Sequence, residues 1–182
     1  MAKGEIATKG AGVEMGYRDL IPDDGSILID FVKEGDCLTA LSKIGENPDL
    51  SEIYFLEVVL QPAIAVGGHE IIFVILVFDQ DTETMDRVLE SERGRAKIPR
   101  ECRPKVHNVL ATLTRSVLEE IRPEKVQMHT YETHIPARAF RRYETVLNAA
   151  SSLGYECGRF AEYHGQQMWA MILPAGESRE PQ

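Results

Sequence analysis

Arg93, Arg95, Lys97, Arg100 and Arg103, followed by Lys105, crowd the stretch just before an apolar-periodic segment that begins at Val106. A helix starting there leaves its first N–H groups unpaired and adds positive potential, so this stretch suits a phosphate or another anion. Its ordinary reading is a solvated basic loop. A second cationic group, Arg138, Arg141 and Arg142, falls in the opening turns of a later helix, with His134 just ahead of it. Arg138 and Arg142 are four apart, share a face and could grip a carboxylate or phosphate. Glu144 and other acidic neighbours offer them simple surface pairs instead.

Other residues invite catalytic or metal chemistry. Glu57 is a carboxylate inside the apolar run Phe55 to Leu60. Alternation turns it to solvent; were it buried, its pKa would rise and it could act as a base. His129, Glu132 and His134 are metal-ligand types, but extended geometry puts His129 on the opposite face from the other two, so no metal site is expected. His69 and His107 read as structural or exposed. Asp79 and Asp81 flank a strand end, where aspartate could bind a cation or satisfy a turn by local hydrogen bonds. No nucleophile elbow, Walker loop or Ser-His-Asp order is present.

The elements that must position these groups follow from periodicity. Residues 1–25 hold five glycines and no apolar period, and read as a flexible arm, mobile or loosely docked. Ser26 to Val32 alternates as a strand, and Asp36 could cap a helix over Cys37 to Ile44. Ile53–Val66 and Glu70–Phe78 flank Gly67-Gly68, which predicts a hairpin closed by those two glycines. The second run is apolar throughout Ile71 to Phe78, as a strand covered on both faces would be. Pro62 places an edge or bulge in its partner. A polar, helical connection is expected from Asp79 to Glu92.

Val106, Leu110, Leu113, Val117 and Ile121 predict a helix that Pro123 stops. Lys125 to Tyr131 reads as a strand. Pro136 opens a helix with Ala139, Tyr143, Val146, Leu147, Ala150 and Leu153 on one face, ended by Gly154. Two final strands, Tyr155–Tyr163 and Gln166–Leu173, meet at His164-Gly165, and 175–182 is a polar tail. The expected architecture is a single α+β domain over 26–174: a mixed, largely antiparallel sheet with helices packed on it.

That element order resembles the second half of the GNAT acyltransferase family, together with Ala139-x-x-x-Tyr143, Leu153-Gly154-Tyr155-Glu156 and Trp169-Ala170-Met171-Ile172-Leu173. The resemblance covers about half the chain. It implies a GNAT-like fold, an acyl-coenzyme A cofactor held by backbone N–H groups in the loop before the long helix, and Tyr143 as the acid that protonates the leaving thiolate. Where the family has spaced glycines, this loop offers Gly94 and then Lys97-Ile98-Pro99.

Bulk properties bound the rest. The chain has 182 residues, 43% of them hydrophobic and 27% charged, ordinary globular proportions. No apolar run suits a membrane span or a secretion signal, so a cytoplasmic protein is expected. Cys37, Cys102 and Cys157 are too few and too scattered for a disulfide framework or a metal knuckle.

The net charge of −9 is uneven. Residues 1–92 carry 6 basic against 19 acidic side chains, 93–142 carry 12 against 5, and 143–182 carry 2 against 5. Only the middle segment is electropositive; the chain as a whole repels nucleic acid. Two functions fit: an interaction or regulatory protein whose electropositive segment binds an anionic protein partner, or a GNAT-like acyltransferase using acetyl-coenzyme A with Tyr143, and Glu57 as a base.

Overall fold

The chain folds as alternation and helical period direct for most of its length. The computed structural model describes residues 16–63, 67–88, 96–130, 132–133, 135, 137–160, 162 and 164–174. Its strands are β1 (Arg18–Asp19), β2 (Asp30–Glu34), β3 (Cys37–Glu46), β4 (Glu52–Pro62), β5 (His69–Asp79), β6 (Thr84–Val88), β7 (Lys125–His129), β8 (Glu156–Arg159) and β9 (Met168–Ile172). The helices are α1 (Arg103–Ile121) and α2 (Arg141–Ser152), the latter entered through a 3-10 turn at Ala137–Phe140. One mixed sheet runs β1-β3-β4-β5-β7-β9-β8; β2 shares the outer edge of β3 with β1, and β6 shares an edge of β5 with β7. The expected α+β class holds. Every pair is antiparallel except β5 with β7, which the crossover through α1 makes parallel.

Both helices cover the same face. Leu38, Ala40, Leu56, Val58, Leu60, Ile71 and Phe73 share that face and a single core with Val109, Leu113, Val117, Tyr143 and Val146 from the helices. His107 of α1 also meets Thr145 of α2 directly. The other face presents Leu41, Phe55, Glu57, Val59, Glu70, Ile72 and Val74, none of them part of that core.

Several expectations are corrected. Cys37 to Ile44 is a strand, not a helix: Gly35 (φ 60°) and Asp36 make a two-residue turn pairing Glu34 with Cys37, and Leu38, Ala40, Ser42 and Ile44 bury on alternate positions. Asp36 therefore caps nothing. The strand placed at 26–32 begins later, at Asp30, because that turn fixes its register. The polar connection after Asp79 contains β6, folded back on Ile75–Asp79, rather than a helix. Asp79 Oδ1 accepts the N–H groups of Asp81 and Thr82, holding the turn that reverses the chain.

Gly67 and Gly68 do not form the whole β4–β5 turn. Pro62 pairs with His69, so the connection spans 63–68, and Pro62 sits at the end of its strand, beyond the last residue that pairs with β3. Within the segment read as an arm, residues 16–25 are docked. Ile21 is buried, the Tyr17 hydroxyl donates to the Ile44 carbonyl, and Lys105 Nζ pairs with Asp19 and Asp23 at 2.8 and 2.6 Å. Residues 1–15 and 175–182 lie outside the described residues. The three cysteines are free thiols, and among the described residues no helix is long and apolar enough to cross a membrane.

Candidate functional site

β5 creates a fork in the sheet. β4 pairs with it along its full length, but on its other edge β7 meets only His69 and Glu70, and β6 takes Ile75 to Asp79. Between these, Ile71 to Val74 has no strand partner on that edge among the described residues. The joint with β7 is close: Gly68, with φ 82°, comes so near β7 that a Cβ there would lie 2.6 Å from the Lys125 carbonyl oxygen.

Aromatic side chains pack the helix side of the fork. Phe73 from β5 meets the Tyr143 ring edge-on, with centroids 5.1 Å apart, and Tyr143 stacks on Trp169 of β9 at 5.0 Å. Phe140 adds a second edge contact to Trp169. The Arg142 guanidinium lies 5.2 Å from the Tyr143 ring centroid and 5.8 Å from that of Phe73, favourable cation–π positions. One Arg142 Nη is 3.5 Å from the Tyr143 hydroxyl and 3.9 Å from Glu132. Tyr143 is 0% exposed. The helical period places it on the core face, and the residue proposed as a thiolate acid is thus a fully buried member of an aromatic stack.

Glu57 faces away from the helices, as alternation requires, but it is not solvated. It is 8% exposed between its register partners Leu41 and Val74, with one carboxylate oxygen 3.4 Å from the Arg87 guanidinium. Toward the β4–β5 loop, Glu70 accepts from His129 Nδ1 at 2.7 Å and from Gln61 at 3.3 Å. The two carboxylates are four register steps apart along the strands, roughly 13 Å, too far to act on one substrate atom.

The basic connection is divided. Arg93 and Arg95 lie outside the described residues. Lys97 clamps Glu52, which also accepts from the Tyr54 hydroxyl and Asn47. Lys105 holds the docked N-terminal segment. Arg103 donates its Nε to the Ile98 carbonyl, in the first turn of a helix with no acidic residue there and no side-chain cap. Arg100 is exposed. The four described cations, Lys97, Arg100, Arg103 and Lys105, thus do not form one anion pocket, although Arg100 and Arg103 flank a helix start with no side-chain cap among the described residues. Arg138 falls in the 3-10 turn, and its side chain lies outside the described residues; Arg142 turns toward the aromatic stack.

His107 carries chemistry of another kind. Thr145 donates its hydroxyl proton to the Arg141 carbonyl, so His107 donates Nδ1–H to Thr145, which ties the two helices together. Burial, with Arg141 and Arg142 nearby, holds its pKa below the ordinary histidine value of 6.5. The unfolded chain therefore binds a proton that the native state refuses as pH falls through that value, and stability contributed at higher pH is lost. Melting of the unmodified protein should drop relative to His107→Gln between pH 7.5 and 5; parallel pH profiles would refute this.

Phe73, Glu70 and the full role of Trp169 were not singled out by sequence reasoning. Trp169, the chain's single tryptophan, and the aromatic at Phe73 in an apolar strand were the available signals. His134 lies outside the described residues, and no group of three or more metal-ligating side chains converges among those described. No family model matches this chain, and neither a curated protein nor a solved structure is found to be similar to it.

Proposed function

We propose that this chain is an interaction protein rather than a catalyst, and that it binds an anionic protein partner through the basic connection leading into α1. One observation carries the reading: Tyr143, the residue that acyl transfer would need beside a thioester, is enclosed by Phe73 and Trp169. Arg100, exposed at the start of α1 beside Arg103, suits carboxylates better than a pyrophosphate, because the sequence of the connection offers the single glycine Gly94 where backbone approach to a pyrophosphate calls for several.

The GNAT-like reading keeps one specific support. After α1 the chain runs strand, helix, strand, strand, with Tyr143 in that second helix, which is the element order on which the reading rests. An acyltransferase would have to open the aromatic stack.

Fluorescence anisotropy with a labelled poly-glutamate peptide tests the proposal. The unmodified protein should bind it, with affinity that falls as salt rises. Arg100→Glu together with Arg103→Glu should weaken binding by about tenfold or more without lowering the melting temperature by more than a few degrees. Affinity insensitive to the reversal would refute the assignment.

A further inference from the structure

β2 forms part of one outer margin of the sheet, beside β1. All five of its residues are exposed, and its strand neighbour among the described residues is β3. Because Gly35 and Asp36 form a two-residue turn, Glu34, Val32 and Asp30 exchange hydrogen bonds with β3. The N–H and C=O groups of Phe31 and Lys33 then point to the open side. Natural edges are blunted by charge, proline or bulges. Here Phe31 is 51% exposed on one face, Val32 54% on the other, and Leu28 just before them 89%. These are three of the seven large apolar side chains exposed among the described residues, gathered on an edge that also carries Asp30, Lys33 and Glu34.

The surroundings of that edge are acidic. Between residues 22 and 36 stand Asp23, Asp24, Asp30, Glu34 and Asp36 against the single base Lys33. On β2 itself, Asp30 and Glu34 flank Val32 on one face, at the spacing of alternate strand positions. A second copy added antiparallel would bring these acids near their own counterparts. A strand with basic residues opposite Asp30 and Glu34, and an apolar one opposite Val32, would match all three cross-strand pairs on that face.

We propose that β2 is a docking edge for an extended segment of a partner protein, with basic residues on either side of an apolar one, added as a further antiparallel strand. Main-chain hydrogen bonds to Phe31 and Lys33 would supply affinity, and the flanking acids would set register and specificity. This interface is opposite in sign to the basic connection and stands or falls independently of it.

The test uses the full chain and a fluorescent peptide with the core lysine-threonine-valine-tyrosine-lysine, beside a control with both lysines replaced by glutamate. The lysine peptide should bind saturably and slow amide exchange at Phe31 and Lys33, while the glutamate peptide should not. Lys33→Pro removes an outward N–H without breaking a bond to β3, and should weaken binding by about tenfold or more. Asp30→Lys with Glu34→Lys should do the same through charge and swap the preference to the glutamate peptide. Equal binding of both peptides, unchanged binding in both variants, or concentration-dependent dimers of the unmodified protein that Lys33→Pro abolishes would each overturn the proposal, the last by showing that a second copy takes the edge.

Discussion

Tyr143→Ala should cost the fold about 3–5 kcal/mol, the range for deleting a large aromatic from a core, and lower the melting temperature by roughly 6–20 °C for a chain of this size. Tyr143 is fully buried and touches rings from both arms of the fork, Phe73 on β5 and Trp169 on β9. Its loss opens a void where β5 and β7 have already parted, so the neighbouring strands give little help in closing it. Tyr143→Phe keeps both ring contacts and loses only the hydroxyl's hydrogen bonding; it should cost about 0.5–1.5 kcal/mol, well below the alanine variant. Chemical denaturation of the two variants decides the matter. A tolerated alanine would mean that the ring stands at an open site after all.

Gly68→Ala is expected to be far more damaging than Gly67→Ala. Gly67 and Gly68 both have positive φ, 68° and 82°, so an alanine at either meets a conformational cost of about 1–2 kcal/mol. At Gly67 the added methyl finds nothing within 4 Å; at Gly68 it meets the Lys125 backbone carbonyl at 2.6 Å. Backbone cannot turn aside as a side chain can, and Lys125 adjoins Val126, one of the two β7 residues that pair with β5. Gly68→Ala should therefore lose at least about 1–2 kcal/mol more than Gly67→Ala in urea denaturation, a gap of the size that core overpacking produces. Equal losses would show that β7 does not approach so closely.

The legible parts of the sequence were those where one period dominates. Val106 to Ile121 and Tyr143 to Leu153 carry helical spacing bounded by Pro123 and Gly154, and both helices form there. Ile71 to Phe78 is apolar at every position and becomes the strand at the fork. Cys37 to Ile44 misled because Ala40 and Ser42 take core-facing positions, which hides the alternation that Leu38 and Ile44 would otherwise announce; the Gly35 turn was the better guide. Thr84 to Val88 is polar and mostly exposed, so only its pairing with β5 makes it a strand.

For the candidate residues the sequence indicates the element but not the surroundings. The helical position of Tyr143 does not tell a buried stack from a catalytic acid. Glu57 was placed on the correct face, but its burial depends on Leu41, Val74 and Arg87, which reach it from three other strands. Lys97 and Lys105 looked free in a basic run, and only tertiary structure brings Glu52, Asp19 and Asp23 to them.

The most direct test of the interaction-protein reading is thermal melting of the full chain with and without millimolar acetyl-coenzyme A. A cofactor that binds the native state at one hundred times its dissociation constant adds about 2.7 kcal/mol, easily seen in a melt. With Tyr143 enclosed and one glycine in the loop, no shift is predicted, and none in Arg100→Ala or Arg103→Ala. A saturable rise in melting temperature that these substitutions remove would contradict the account and restore the acyltransferase reading.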